Sequence, residues 1–190
     1  MNGLLRRAHE SRERIRWVLV GVLLLLVVAG AVDRIQEAMA LPANRASDAL
    51  PIYLSSAAVI DGGDPTTQEG LQAAYDARKL QVRAETFSNL YPASAGVLLQ
   101  PLALGSWEQF VVLWRGLLLL GVMVGGAAGA AAGVRGPGTP LAAALGAWLA
   151  VTGFPVTGEG IALGQANLLM AGAMGLVILA FSRGCAGVGA

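Results

Sequence analysis

The sequence predicts an all-α membrane protein with four transmembrane helices and additional surface helices in a large first outer loop. Three observations carry that expectation. The 190 residues are 55% hydrophobic and only 13% charged, with a mean hydropathy of +0.62, which is the composition of an integral membrane protein rather than a soluble domain. Four apolar runs approach or reach the length of a bilayer crossing. Between the first and second lies a polar stretch, residues 33–108, too long for a simple connection and too polar to enter the bilayer.

The first run, residues 17–32, contains 16 apolar residues, and the alkyl stem of Arg16 extends it toward the required length. Arg6, Arg7, Arg12, Arg14 and Arg16 precede it, so residues 1–16 are expected to be cytoplasmic by the positive-inside rule. Ala38-Met39-Ala40 resembles a signal cleavage site, but Asp33, Arg34, Gln36 and Glu37 crowd the approach to it, which favours an uncleaved anchor. The further spans are expected at 110–134, 141–154 and 162–181, with residues 182–190 as a cytoplasmic tail. Arg135 and Arg183 then fall on the inner side. Trp107, Trp114 and Trp148 fall near the outer boundary, as an aromatic belt would. This topology puts the N-terminus in the cytoplasm, and the membrane is expected to be a bacterial-type inner (plasma) membrane.

Gly121, Gly125, Gly129 and Gly133 recur every four residues along the second span, and Ala142, Gly146 and Ala150 along the third. Such faces let helix backbones approach closely, and packing within the same chain is the expected use.

The outer loop carries nine acidic and five basic residues. Pro51 suits the first turn of a helix that Gly62-Gly63 ends. Asp64-Pro65 reads as the cap and first residue of a second helix, with Thr66 and Glu69 as an alternative capping box. Both helices are expected to lie along the membrane surface. The apolar stretch 93–99 is too short to span.

Net charge is +1, which argues against a nucleic-acid partner; the arginines near the N-terminus serve orientation. A single cysteine, Cys185, and a single histidine, His9, give no material for a multi-Cys or His-based metal site. The side chains that stand out are these. Asp48 is either a helix N-terminal acid or a general base at the bilayer surface. Asp61 and Asp64 read as turn and cap residues. Arg115 lies in the second span, where it either snorkels outward beside Trp114 or clamps a lipid phosphate. Gln165 and Asn167 either cap the last span or face a polar cavity.

Two strings, 47–65 and 163–169, resemble the glycosyltransferase 87 family (the DUF2029 group), polytopic enzymes related to polyprenyl-phosphomannose-dependent mannosyltransferases. The resemblance rests on Asp48, Tyr53, Ala57-Ala58 and Gly62-Gly63-Asp64-Pro65, then Tyr91-Pro92, Pro101-Leu102 and Trp114. It ends with Gly164-Gln165-Ala166-Asn167-Leu168-Leu169. Thr66 and Ala93 depart from the family pattern, and family members are about twice as long, so the chain resembles the N-terminal part of a GT-C fold.

The resemblance implies a hexosyltransferase that moves a sugar, mannose first among candidates, by inversion from a polyprenyl-phosphate donor to an outer-face acceptor. Asp48 would be the catalytic base, and Tyr53, Asp64, Tyr91, Arg115, Gln165 and Asn167 substrate-binding residues. No cofactor beyond the lipid-linked sugar donor and no metal is implied. The partners would be membrane lipid, the lipid-linked sugar and the remaining spans as a separate chain, without which little activity is expected. The competing expectations are a non-catalytic helical scaffold that recruits a partner, and a small transporter subunit with Gln165 and Asn167 on its path.

Overall fold

The computed structural model describes residues 2–80, 93–152 and 155–184, and the regular elements among them are all helical. In chain order they are α1 (Asn2–Ala40), α2 (Leu50–Ile60), α3 (Gln68–Ala77), α4 (Ala93–Leu98), α5 (Gln100–Ala103), α6 (Trp107–Ala132), α7 (Thr139–Thr152), α8 (Pro155–Leu163) and α9 (Asn167–Ser182). Two are long and apolar enough to cross a bilayer: Glu10–Glu37 within α1, and α6. Gly136–Thr152 and Thr157–Leu163 pass that test only jointly, as a bent pair with the form of a broken span or a re-entrant loop. The apolar α9 has 16 residues, so it reaches about 24 Å, against about 30 Å of hydrocarbon.

The chain divides into two compact units, one of Met1–Arg34, Leu119–Thr157 and Leu168–Ala190, the other of Ile35–Leu118 and Gly158–Asn167.

In the first unit, α1 leaves Val18, Leu25 and Val28 exposed while burying Val20 and Val27. A helix apolar on its exposed faces as well is what a lipid environment selects. Gly30 meets α7 closely: a Cβ there would lie 2.9 Å from Thr152 Cγ2.

The small residues of α6 divide between two neighbours. A Cβ on Gly125 would stand 2.8 Å from the Ala171 carbonyl oxygen, and one on Gly121 would stand 3.0 Å from that of Leu168, both leading into α9. Gly172 and Gly175 of α9 return the contact on Gly121 and Gly125. The α7 side is met instead by Gly126, whose Cβ would lie 2.5 Å from Ala150 Cβ. Intramolecular packing is thus the use of Gly121 and Gly125, but the four-residue register fails beyond them. Gly129 has nothing within 4 Å of its ideal Cβ, and Gly126, outside the series, makes the second interface.

At the ends of α6 and α9 two arginines cap each other's helix. Arg135 donates to the Ser182 carbonyl at 2.9 Å, and Arg183 donates to those of Ala131 and Val134 at 3.1 and 3.0 Å. Cations placed on orphan C-terminal carbonyls complement the helix dipole.

The second unit is built around α2, which packs on α3, α4 and α5. Pro51 sits in its first turn as expected. It is covered on most sides rather than amphipathic, however: Leu50, Ile52, Tyr53, Leu54, Ser55, Ser56, Ala57 and Ala58 are all buried. Ser55 is covered by α4, which approaches so closely that a Cβ on Gly96 would lie 3.1 Å from Ser55 Cβ.

Gly62, at φ +77°, ends α2 in a Schellman turn, with Gly63 N–H donating to the Ala58 carbonyl at 2.7 Å and Gly62 N–H to that of Val59 at 3.2 Å. The cap of α3 is neither Asp64 nor Thr66 but Thr67, whose hydroxyl accepts from Gly70 N–H at 3.1 Å. Asp64 instead closes an Asx turn on Thr66, through its backbone N–H at 2.8 Å and its hydroxyl at 2.6 Å. Only α3 fits an amphipathic reading, burying Leu71 and Ala74.

Candidate functional site

Ser106 and Gln109 form a reciprocal capping box that opens α6: Gln109 Oε1 accepts from Ser106 N–H at 3.0 Å, and Ser106 Oγ accepts from Gln109 N–H at 3.3 Å. From there α6 sends Trp107, Phe110 and Trp114 into the core of the second unit at 3% exposure or less. This overturns the belt expected for Trp107 and Trp114. Spacing of three and four residues puts the rings in a column, with centroids 6.0 Å apart for Trp107–Phe110 and 5.9 Å for Phe110–Trp114. Tyr53 joins them edge-on from α2, 5.3 Å from Trp107 and 5.1 Å from Phe110, and donates its hydroxyl to the Gly105 carbonyl at 3.3 Å.

The two strings singled out in the sequence meet below this column. Gly164 takes φ +78° and terminates α8 in a second Schellman turn, with Gln165 N–H donating to Gly160 O at 2.9 Å and Gly164 N–H to Ile161 O at 3.2 Å. The continuous helix expected over 162–181 is therefore broken, and α9 starts only at Asn167. The Gly164 carbonyl accepts from the buried Trp114 Nε1 at 2.9 Å. A Cβ on Gly164 would lie 2.7 Å from Ala49 Cβ. Asp48 and Gln165 thus each flank one side of this contact, in a 3-10 turn (Ser47–Ala49) and a helix terminus respectively.

Asp48 is half-buried and accepts from Ser47 Oγ at 3.3 Å; Gln165 is half-buried and Asn167 exposed. Arg115 does not snorkel. It is 4% exposed and donates to the carbonyls of Leu41 and Ala162, both at 3.0 Å, and of Pro42 at 3.5 Å. Its guanidinium staples the exit of α1 to the end of α8, and those hydrogen bonds already engage both terminal nitrogens.

Asp64 stands away from this cluster on an exposed turn. The hydrogen bonds from the Thr66 hydroxyl and then the Thr66 N–H hold its carboxyl below the ordinary aspartate range. Asp61 pairs with Arg78 at 3.1 Å, and that hydrogen bond, opposed by partial burial, raises the guanidinium further. Tyr91 lies outside the described residues. Among the described residues no group of three or more His, Cys, Asp or Glu is placed to hold a metal ion.

A cavity of about 510 Å³, unforeseen in the sequence, opens beside Tyr53 and Trp107. Asn44, Arg78, Lys79, Ser106 and Glu108 supply its polar wall. Together with Tyr53 these side chains come from four separate stretches of chain, so no local spacing announces them. The nearest sequence signal was the Ser106–Gln109 capping box, which fixes where α6 begins.

Searches against protein-family models, curated proteins and solved structures find no match to the chain.

Proposed function

We propose that the chain is a membrane glycosyltransferase, or the N-terminal part of one. It would transfer a hexose, mannose first among candidates, from a polyprenyl-phosphate donor to an acceptor on the outer face. On this reading α7 with α8, and α9, are the third and fourth crossings of a GT-C-type arrangement with a cytoplasmic N-terminus. Asp48 takes the proton from an acceptor hydroxyl; that oxygen attacks the anomeric carbon; the bond to the phosphate oxygen breaks, and polyprenyl phosphate leaves with inversion. A half-buried carboxylate that accepts only a long hydrogen bond from Ser47 among the described residues is chemically suited to that role, whereas Asp61 and Asp64 are engaged by Arg78 and Thr66.

The observation that carries the reading is the contact of Ala49 with Gly164, which brings together the two strings the resemblance depends on. A scaffold that recruits a partner through the glycine face of α6 is less well supported, because Gly121, Gly125 and Gly126 already face α9 and α7.

The test is photo-crosslinking with a diazirine-bearing polyprenyl-phosphate mannose in native membranes. Labelling of peptides flanking Asp48 or Gln165, suppressed by unlabelled polyprenyl phosphate, is the expected result. Absence of labelling, or labelling indifferent to the competitor, contradicts the proposal.

A further inference from the structure

Within the first unit, α6, α7 and α9 leave between them a groove of about 400 Å³. Gly125, Gly126 and Gly129 line it from α6, Ala150 from α7, and Met174 and Ile178 from α9. Thr157 is the one polar side chain in its lining, and that hydroxyl already donates to the Ala150 carbonyl at 3.3 Å. A polar ligand would find no partner there, so the groove suits a hydrocarbon chain. Met174 and Ile178 are 60% and 48% exposed, which opens the groove toward the surroundings, where a bilayer supplies such chains.

Gly129 distinguishes this groove from a helix–helix seam. Gly121, Gly125 and Gly126 are small because α9 and α7 press on them, whereas an ideal Cβ on Gly129 meets nothing within 4 Å. Glycine weakens a helix interior. At Gly129 that weakness gains no helix contact; it keeps the groove open.

Two cations stand at the end of the groove where α6 and α9 finish. Arg135 follows Gly129 by six residues and Arg183 follows Ile178 by five, which is about 7–9 Å of helical rise. Both arginines are exposed. Their bonds to each other's helix, to the Ser182 carbonyl and to those of Ala131 and Val134, hold the two side by side. Those bonds run through Nη2, and each guanidinium fork has further donors at Nε and Nη1.

No acidic residue occurs in 119–157 or 168–190. The unit as a whole carries eight arginines against three acidic residues, a formal charge of +5. A free anion would leave the groove unfilled, and a lipid without net charge would leave the arginine pair unbalanced. A phosphodiester joined to an acyl chain through glycerol matches both.

We infer that the groove and the arginine pair form one binding site for an anionic glycerophospholipid, with an acyl chain along Gly129 and the phosphate on Arg135 and Arg183. The site uses neither Asp48 nor Gln165 and needs no sugar donor, so it stands or falls separately from the transferase reading.

The experiment is native mass spectrometry of the full chain released from nanodiscs of equimolar phosphatidylglycerol and phosphatidylcholine with matched acyl chains. Two variants accompany the wild type. Gly129→Leu sends its side chain into open space and fills the groove; the double variant Arg135→Gln, Arg183→Gln removes both charges. The wild type is expected to retain phosphatidylglycerol over phosphatidylcholine by about tenfold or more, since each arginine near the headgroups contributes about 1 kcal/mol. Gly129→Leu should lose the retained lipid at a thermal midpoint no lower than that of the wild type, and the arginine variant should lose the preference between the two lipids. Excess undecaprenyl phosphate should leave the retained phospholipid in place.

Equal retention of the two lipids by the wild type overturns the inference, as does retention that Gly129→Leu leaves unchanged. A preference kept by the arginine variant also overturns it and assigns the selectivity to the arginines ahead of α1's apolar run. Displacement by undecaprenyl phosphate marks a donor site instead, and a lipid-free dimer marks a second copy as the occupant; either result overturns the proposal.

Discussion

The indole Nε1 of Trp114 donates to the Gly164 carbonyl at 2.9 Å, inside the second unit and away from solvent. That bond fixes the turn at which α8 ends, and the same turn presses Gly164 against Ala49. A tryptophan expected in an aromatic belt near the outer boundary thus holds Gly164 beside Ala49.

Two glycines with nearly the same backbone separate conformational strain from crowding. Gly62 (φ +77°) has nothing within 4 Å of its ideal Cβ, whereas Gly164 (φ +78°) would place one 2.7 Å from Ala49 Cβ. Gly62→Ala is expected to cost about 1–2 kcal/mol from the left-handed backbone alone. Gly164→Ala should add about 1–3 kcal/mol of overpacking. Thermal unfolding in nanodiscs reads the difference, and equal losses for the two variants would refute the close contact.

Along α6 the same logic divides one glycine series. Gly125→Ala would drive a methyl group to 2.8 Å from the Ala171 carbonyl oxygen, while Gly129→Ala meets nothing within 4 Å. The first is expected to destabilise by about 1–3 kcal/mol. The second should be neutral or stabilise by about 0.5–1 kcal/mol through its better helix propensity. Indistinguishable melting curves for the two variants would mean that α9 does not pack on Gly125.

Acid should weaken the turn that precedes α3. The Asp64 carboxyl is held below its ordinary value by the two Thr66 hydrogen bonds. A depressed folded value contributes stability that is fully present above the unfolded value of about 3.9 and is lost as pH falls through the folded one. Asp64→Ala is therefore expected to lower stability at neutral pH and to flatten the acid dependence below about pH 4. Denaturation series at neutral and acid pH check this, and an acid limb unchanged by the substitution would remove the assigned role.

Local signals in the sequence were read well where one residue decides the outcome. Pro51 started α2 and Gly62-Gly63 stopped it, because a fixed φ and a left-handed φ act without help from distant chain. Where several side chains compete, the choice was not legible. Asp64, Thr66 and Thr67 can all cap, and the turn geometry gave Asp64 to Thr66 and the helix to Thr67.

The tryptophans misled for a different reason. Spacing of three and four residues fits a buried column as well as an interfacial belt, and tertiary packing by Tyr53 chose the column. The break at Gly164 was hidden by apolar residues on both sides. Arg115 was legible as an anomaly but not as a staple, since its partners at Leu41 and Ala162 are remote in sequence. The polar cavity, assembled from four stretches, lay beyond any reading of spacing.

The measurement that bears most directly on the proposed function is hexose transfer from a polyprenyl-phosphate hexose in membranes of cells lacking the chain, supplied with the wild type or with Asp48→Asn. A positioned general base contributes about 10²–10⁴-fold. Transfer is expected with the wild-type chain, with a fall of at least about a hundredfold for Asp48→Asn at equal protein abundance. Transfer at an undiminished rate in Asp48→Asn, or none with the wild-type chain, would contradict it.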